Sequence, residues 1–383
     1  MFVENPIHYR PTKAIVDLTA IQRNIKNMQM HVGPGVGIIA VVKANGYGHG
    51  AVQVARAALE AGALLLAVAT PDEAVQLRKA GITGDILVLG PSPYEFAKRA
   101  AELGIILTVA ASEWLQAVLG SYAPGSFQKR LKIHVKIDSG MGRIGIREAD
   151  DLATLIEMIG KSDDVELDGV FTHFARADEE DPYHTEKQFN RFMAQVNRLP
   201  EKPRLIHAAN SAAALLHPEY ALDAIRFGVS MYGFAPSAYV ARMLPFPLEK
   251  AVQLTTELSH VKLLEKGSPI SYGGTYETTE DEWIGTLPIG YADGLRRGLR
   301  GQAVLVGGQR VPIVGTICMD QCMVRLPHEF PIGEPVVLIG KQGNEEITME
   351  EWAQRLDTIP YEITVSLRGR IPRIYATTNG QHV

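Results

Sequence analysis

The sequence predicts an α/β fold, an N-terminal (β/α)8 TIM-like barrel followed by a C-terminal mostly-β domain. Three observations predict it. Short apolar, β-branched runs alternate with helical patterns over the first two thirds of the 383 residues. Eight such runs are complete near residue 240. The remainder reads as strands and turns with one short helix. A doubly wound open sheet is the rival architecture; a count of eight favours the barrel.

The expected barrel strands are Val36–Val42, Leu64–Ala69, Ile86–Leu89, Ile105–Val109, Leu131–Ile137, Leu167–Thr172, Arg204–His207 and Ala224–Phe227. Each is short and bounded by turn residues or charge, as a strand buried on both faces should be. An amphipathic helix, Leu18–His31, precedes the first. Helical patterns at Gly50–Ala61, Pro71–Ala80 and Tyr94–Leu103 end at Gly62, Gly81 and Gly104, residues suited to a left-handed cap. Ser112–Leu119, Glu148–Ile159, Tyr183–Leu199 and Ser211–His217 complete the helices. Met243–Leu248, with two prolines, breaks the alternation. Strands are then expected at Val252–Leu264, Trp283–Leu287, Ala303–Val306, Val311–Val314, Met323–Leu326, Val336–Ile339 and Ile363–Ser366, with a helix at Met349–Leu356. The expected domains are 14–247 for the barrel and 248–383, joined by the N-terminal segment 1–13, for the β part.

Composition narrows the function. Apolar residues make up 46% and charged residues 21%, so disorder and coiled coil are excluded for the whole chain. A net charge of −5 argues against a nucleic-acid partner or a polybasic membrane surface. Two cysteines exclude a disulfide scaffold and fit a reducing, cytoplasmic setting. Their C-x3-C spacing, Cys318 and Cys322, lacks the second pair that zinc would need. No signal peptide and no apolar run of about eighteen residues is expected.

A barrel enzyme works at the C-terminal ends of its strands. Those ends carry Lys43, Leu89, Lys136, Asp138, Arg143, His173, His207, Asn210, Ser211, Arg226 and Gly228. Polar loops would give some of this without function. Lys43 follows six apolar residues; poor solvation favours its neutral amine, a nucleophile for carbonyls. The same position would also suit a lysine snorkelling to water. Tyr47 in the next loop offers a hydroxyl to an anion. Asn210-Ser211 and Gly228-Val229 occupy the loops after strands seven and eight, the usual phosphate site of this architecture. Ser211 is read as a helix cap presenting N–H groups, and Gly228 as a point of close backbone approach. Arg226 lies inside the last strand and can donate hydrogen bonds but never accept them. The guanidinium of Arg143 suits a carboxylate. His134, His184 and His260 read as ordinary surface or strand residues.

The strings VVKANGYGHG, KIDSGMGRIG, HAANSAA, RFGVSMYG and ICMDQCM occur in this order. Together they resemble the alanine racemase family, the pyridoxal-phosphate isomerases that interconvert L- and D-alanine, from about residue 10 to residue 375. Gly46 departs from the pattern, standing where alanine is more usual. The resemblance implies that Lys43 holds pyridoxal 5'-phosphate as an imine and serves as base on one face of the substrate. It implies a cofactor site of Tyr47, Leu89, Asn210, Ser211, Gly228, Val229 and Tyr361. It sets Arg226 against the pyridine nitrogen, and Arg143 against the phenolic oxygen and the substrate carboxylate. Lys136 resembles a lysine often carbamylated in this family, which then orients Arg143.

The same resemblance places the second base at Tyr272, assisted by His173 and Arg226. A tyrosine ordinarily titrates near ~10, so cations have to favour its phenolate. The implied assembly is a head-to-tail homodimer in which Tyr272 and Met319 enter the partner's barrel mouth. The Met319 N–H would meet the substrate carboxylate, and Tyr291 would narrow the entrance. The D-alanine would serve cell-wall synthesis, or the reaction alanine breakdown. A pyridoxal-phosphate decarboxylase on the same scaffold would bring a different cysteine motif. A non-catalytic cofactor carrier would lack the β domain.

Overall fold

The structure, a computed structural model, describes residues 8–376. The strand β1 (Lys13–Asp17) leads into the helix Leu18–Val32. Eight strands follow: β2 (Gly37–Val41), β3 (Leu65–Val68), β4 (Ile86–Val88), β5 (Ile105–Val109), β6 (Leu131–Lys136), β7 (Val165–Phe171), β8 (Leu205–His207) and β9 (Ala224–Phe227). All are parallel, in the order β8-β7-β6-β5-β4-β3-β2-β9. Backbone bonds from Asp223 N to Ile206 O (3.1 Å) and from Arg226 N to Ala209 O (2.9 Å) join β8 to β9 and close the ring. This is the eight-stranded barrel that the alternation predicts.

The barrel interior is filled by every second residue of its strands, as a period of two requires. Ile39, Val41, Leu65, Ala67, Leu87, Ile106, Leu205 and Ala224 form one buried cluster, with Tyr47 and Leu89 packed on its upper edge. The outer helices end where glycine permits. Gly62, Gly81 and Gly104 have φ of 92°, 82° and 62°.

The chain forms two compact units, Thr19–Lys250 in one and the stretches on either side of it in the other. The second unit is built on a long mixed sheet. Its strands are β10 (Val252–Glu257), β11 (His260–Leu264), β12 (Pro269–Ile270), β13 (Tyr276–Glu277), β14 (Glu282–Leu287), β15 (Ala303–Val306), β16 (Gln309–Val314), β17 (Cys322–Leu326), β18 (Pro335–Gln342), β19 (Glu345–Ile347) and β20 (Arg373–Ala376). The order is β11-β14-β17-β16-β15-β18-β10-β1-β20, with β19 on β18 and β12 paired to β13. Strand β1 runs antiparallel to β10, with Ala14 opposite Leu254, and parallel to β20, with Ala14 opposite Arg373.

Two sequence expectations change here. Val252–Leu264 is two strands, because the chain switches partners at Leu258-Ser259. Leu258 N bonds Glu334 O, beside β18, and Ser259 N bonds Thr286 O in β14. Ile363–Ser366 is not a strand but part of the helix Pro360–Ser366. Pro360 fits the first turn, and its environment overrides the β preference of Ile, Thr and Val. Among the described residues no helix is long and apolar enough to cross a membrane.

Candidate active site

Lys43 begins the turn that leaves β2. The four residues after it, Ala44, Asn45, Gly46 and Tyr47, all have left-handed φ (52°, 54°, 61° and 49°). This costs roughly 1–2 kcal/mol for each non-glycine residue, so the surroundings must enforce it. Gly46 N bonds Val42 O at 2.8 Å and Gly48 N bonds Ala44 O at 3.0 Å. The glycine at position 46 eases the turn, since a Cβ there would meet Ala51 Cα at 3.3 Å. Lys43 Nζ lies 5.9 Å from the centre of the Tyr47 ring. Burial, then the charge of Arg143, lowers the Lys43 pKa, and Glu73 partly restores it. A larger fraction of Lys43 is therefore the neutral amine.

Tyr47, Ser211 and Gly228 converge. Gly228 N donates to Ser211 Oγ at 3.0 Å. A Cβ on Gly228 would sit 3.0 Å from Tyr47 Oη and press on the tyrosine hydroxyl, which glycine leaves in place. The Tyr47 ring packs, tilted by 37°, at 4.9 Å from the buried Tyr232, whose hydroxyl donates to Val41 O at 2.9 Å. Asn210, not Ser211, caps the helix Ser211–Leu216, accepting from Ala213 N at 3.0 Å. Ser211 sits one residue inside the cap, where its hydroxyl serves the loop after β9. Val229 opens the 3-10 turn Val229–Tyr232 directly after Gly228. Two hydroxyls and loop N–H groups so placed suit a dianion.

Arg226, 4% exposed, is held on all sides. It donates to Thr172 O (2.7 Å), Ala208 O (2.7 Å), His207 O (3.3 Å), His207 Nδ1 (2.7 Å) and His173 Nδ1 (3.2 Å). Burial, then the nearby Arg143, brings its pKa down to about 9, which leaves it charged at neutral pH. These contacts fix the tautomers. His207 Nδ1 accepts from arginine, so its Nε2–H donates to His134 Nδ1 at 3.0 Å. His134 Nε2–H in turn donates to Asp168 Oδ2 at 3.0 Å. Burial pushes the pKa of both histidines down and keeps them neutral. Asp168 also accepts two bonds from Arg204, each 2.7 Å. The carboxylate is held well below its usual range by His134 and Arg204, against the opposing effect of burial. His134, expected to be an ordinary surface or strand residue, is thus fully buried and part of the five-residue chain Arg226–His207–His134–Asp168–Arg204. The alternation of His134 with Lys136 along β6 was the available signal. Asp168→Ala should destabilise the fold by about 3 kcal/mol, the low end because Arg204 stays partly exposed. The urea midpoint measures this, and an unchanged midpoint would remove the chain's structural role.

His173 is neutral as well. Burial, then Arg226, Arg143 and Lys136, lowers its pKa well below the ordinary value. Lys136 is 2% exposed, donates to Ile137 O at 2.9 Å and lies 5.4 Å from the Phe171 ring centre. Burial, then Arg226, brings it down to about 7. Asp138 is committed to the following loop, accepting from Gly140 N (3.1 Å) and Gly142 N (2.9 Å). The loop closes with Asp138 N on Ile146 O and Ile146 N on Lys136 O, both 2.9 Å. It presents Arg143 exposed, with no hydrogen-bond partner for its guanidinium among the described residues.

In the β unit, Tyr272, Met319 and Tyr291 share one surface. Tyr272 is 76% exposed and Met319 53%. Ser271, just before Tyr272, has φ 65° and ψ −175°, a region that strains a non-glycine residue. It is held there by Ser271 Oγ donating to Thr316 O at 2.6 Å, and Thr316 Oγ1 donates to Tyr272 O at 3.0 Å. Tyr291 N bonds Cys318 O (3.0 Å) and Ala292 N bonds Met319 O (2.9 Å). Gly290 permits this approach, since a Cβ would lie 2.3 Å from Met319 O. The buried Asp293 caps Gly290 N at 3.0 Å and pairs with Arg10 and Arg370. Tyr361 lies in the helix Pro360–Ser366 of the same unit.

The fold joins a (β/α)8 barrel to a mostly-β unit, and a strand-end lysine stands in the barrel beside a tyrosine-bearing glycine loop. Residues 16–236 match the family model described as alanine racemase, N-terminal domain, and residues 251–375 the one described as alanine racemase, C-terminal domain. An alanine racemase from Anoxybacillus flavithermus is 48% identical over 96% of this chain and 95% of its own length. The crystal structure of alanine racemase from Bacillus anthracis with bound L-Ala-P is similar with TM-score 0.94 and 46% identity, over 98% of this chain and 97% of that one. A histidine racemase from Leuconostoc mesenteroides has TM-score 0.90 at 30% identity, over 97% of this chain and 99% of that one. The chain belongs to the alanine racemase family and is an isomerase.

Proposed function

We propose that this chain interconverts L- and D-alanine with pyridoxal 5'-phosphate, by proton transfer on both faces of the substrate. One observation carries the reading. A lysine with lowered pKa stands beside a Tyr47–Ser211–Gly228 cradle and a buried Arg226. These residues fit the cofactor: Lys43 for the carbonyl, the cradle with Asn210, Val229 and Tyr361 for the phosphate, Leu89 for an apolar wall. When bound, the cofactor draws electrons from the substrate's α-carbon and so makes its hydrogen acidic.

The chain's own groups do the rest. Lys43 Nζ takes up or returns the α-proton on one face, and the partner's Tyr272 does so on the other. Arg226 only donates, so it holds a pyridine nitrogen unprotonated and keeps the sink weak. That favours quick return of the proton over side reactions. His173 and Arg226 favour the phenolate, Arg143 and the Met319 N–H hold the substrate carboxylate, and Tyr291 narrows the entrance. This requires a head-to-tail homodimer, in which each β domain (248–383 with 1–13) completes a barrel (14–247). The exposed Tyr272 and Met319 support that assembly. A cytoplasmic setting accords with two free cysteines.

The test is purified protein with L-alanine and a D-amino-acid oxidase readout, extended to serine and histidine with product chirality measured. Alanine should be turned over fastest. Absence of D-alanine from cofactor-loaded protein would overturn the reading, and a preference for histidine would reassign the substrate.

Lys136 is proposed to carry a carbamate. Its neutral amine attacks carbon dioxide, a C–N bond forms and a proton leaves. The resulting anion would orient Arg143. Unmodified Lys136, brought down to about 7 in the fold from an ordinary lysine value of 10.5, destabilises the fold most below pH 7. The unfolded chain holds the extra proton between these values, so stability should rise across that window. Bicarbonate at pH 8 should raise both Tm and activity. Identical melting curves with and without it would speak against the modification.

A further inference from the structure

The turn after Lys43 is braced within its own loop by His49 Nδ1, which bonds Gly46 O and Tyr47 O, and a side chain from another element grips its root. Glu73 is the third residue of the helix Pro71–Lys79, in a capping box with Thr70. Thr70 N donates to Glu73 Oε2 at 3.2 Å, and Glu73 N to Thr70 Oγ1 at 3.4 Å. A capping box accounts for one carboxylate oxygen. Here Oε2 also accepts from Ala69 N at 2.7 Å, while Oε1 accepts from Ala44 N at 2.6 Å. Ala44 is the residue next to Lys43 and the first of the left-handed run. One carboxylate therefore ties the end of β2 to the end of β3 and grips the strained turn at its root.

We propose that Glu73 is a positioning residue for Lys43: its carboxylate fixes the left-handed turn that aims the amine and supplies a counter-charge to it. The proposal rests on the reading of Lys43 as cofactor-holding base. Four groups bear on that amine. Arg143, from the loop after β6, disfavours its charge, and Glu73, from the helix after β3, favours it. The Tyr47 ring stands 5.9 Å away. His173, after β7, is neutral. Glu73 is thus the anion that offsets part of the loss of basicity that burial and Arg143 impose on Lys43.

Glu73→Gln keeps the shape, but its single carbonyl oxygen cannot serve Ala44 N and Ala69 N from opposite sides. The charge is also lost. In the cofactor-loaded dimer, kcat should fall about tenfold with KM for alanine changed less than about twofold. The acid limb of the kcat–pH profile should move to lower pH by roughly half a unit, because an opposite charge has been removed. Thr70→Ala, which breaks the helix cap but leaves Ala44 bonded, should lower Tm without moving that limb. Glu73→Asp, one methylene shorter and still charged, should lower kcat with a smaller pH shift, and serves if the glutamine variant does not fold. A pH profile and kcat unchanged in either Glu73 variant would overturn the proposal, as would a limb that Thr70→Ala shifts equally. Loss of the long-wavelength absorbance in Lys43→Ala is checked first, so that failure of the Lys43 reading is seen separately.

Discussion

Racemisation by a Tyr272→Phe variant should fall by about 10²–10⁴-fold, the usual contribution of a positioned acid–base group. The loss must be equal in the two directions when read as kcat/KM. Enantiomers are equally stable, so the equilibrium constant is one and the two specificity constants stay tied. Rates of overall turnover therefore cannot reveal which face has lost its base. Exchange of the α-hydrogen with deuterated solvent can. Lys43 remains, so one enantiomer should still exchange with retention of configuration, while exchange from the other collapses with racemisation. Equal, wild-type-like exchange from both would reject Tyr272 as the second base. The fold should be unaffected, since Tyr272 is 76% exposed in the single chain and the phenylalanine removes only its hydroxyl.

Lys43→Ala should have the larger effect, a loss of at least about 10⁴-fold, because one residue gives both covalent attachment and a base. The long-wavelength absorbance of lysine-bound cofactor should vanish even at saturating pyridoxal 5'-phosphate. Its persistence would mean that another lysine holds the cofactor. Lys136 is the nearest alternative in chemical terms, being buried and brought down to about 7, but its amine is already donated to Ile137 O. The Gly228–Ser211 bond and the packing of Tyr47 on Tyr232 do not involve Lys43. The variant should therefore still bind the cofactor reversibly, as a competition with inorganic phosphate would show.

Much of the barrel was legible because its strands are buried on both faces and its helices stop at glycines. Nothing about Ala40 or Val68 is ambiguous in such a context. The strand-end residues followed from counting strands, and the resemblance supplied their roles. What stayed hidden depends on contacts between distant parts of the chain. Ser211 was read as a cap, but Asn210 takes that task. His134 looked ordinary because its partners, His207 and Asp168, lie on other strands. The bond from Ala44 N to the second oxygen of Glu73 cannot be inferred from Thr70-Pro71-Asp72-Glu73, which spells only a helix start. The helix at Pro360–Ser366 was missed because its apolar, β-branched residues suit either state. Asp293 carries no local signal for its two arginines.

Strand β1 sits between β10 and β20. During synthesis it emerges first and then has no neighbour until the chain has grown past residue 252, and no second one until residue 373. At ~5–20 residues per second, that wait is on the order of tens of seconds. The barrel residues, all made in the interval, can fold meanwhile. The β unit is therefore the last part to acquire its sheet, and the early segment must stay unpaired and unaggregated until then. Residues 13–17 alternate exposed or half-buried with fully buried positions, and the less buried face carries a charge at each end, Lys13 and Asp17, which discourages pairing with another chain.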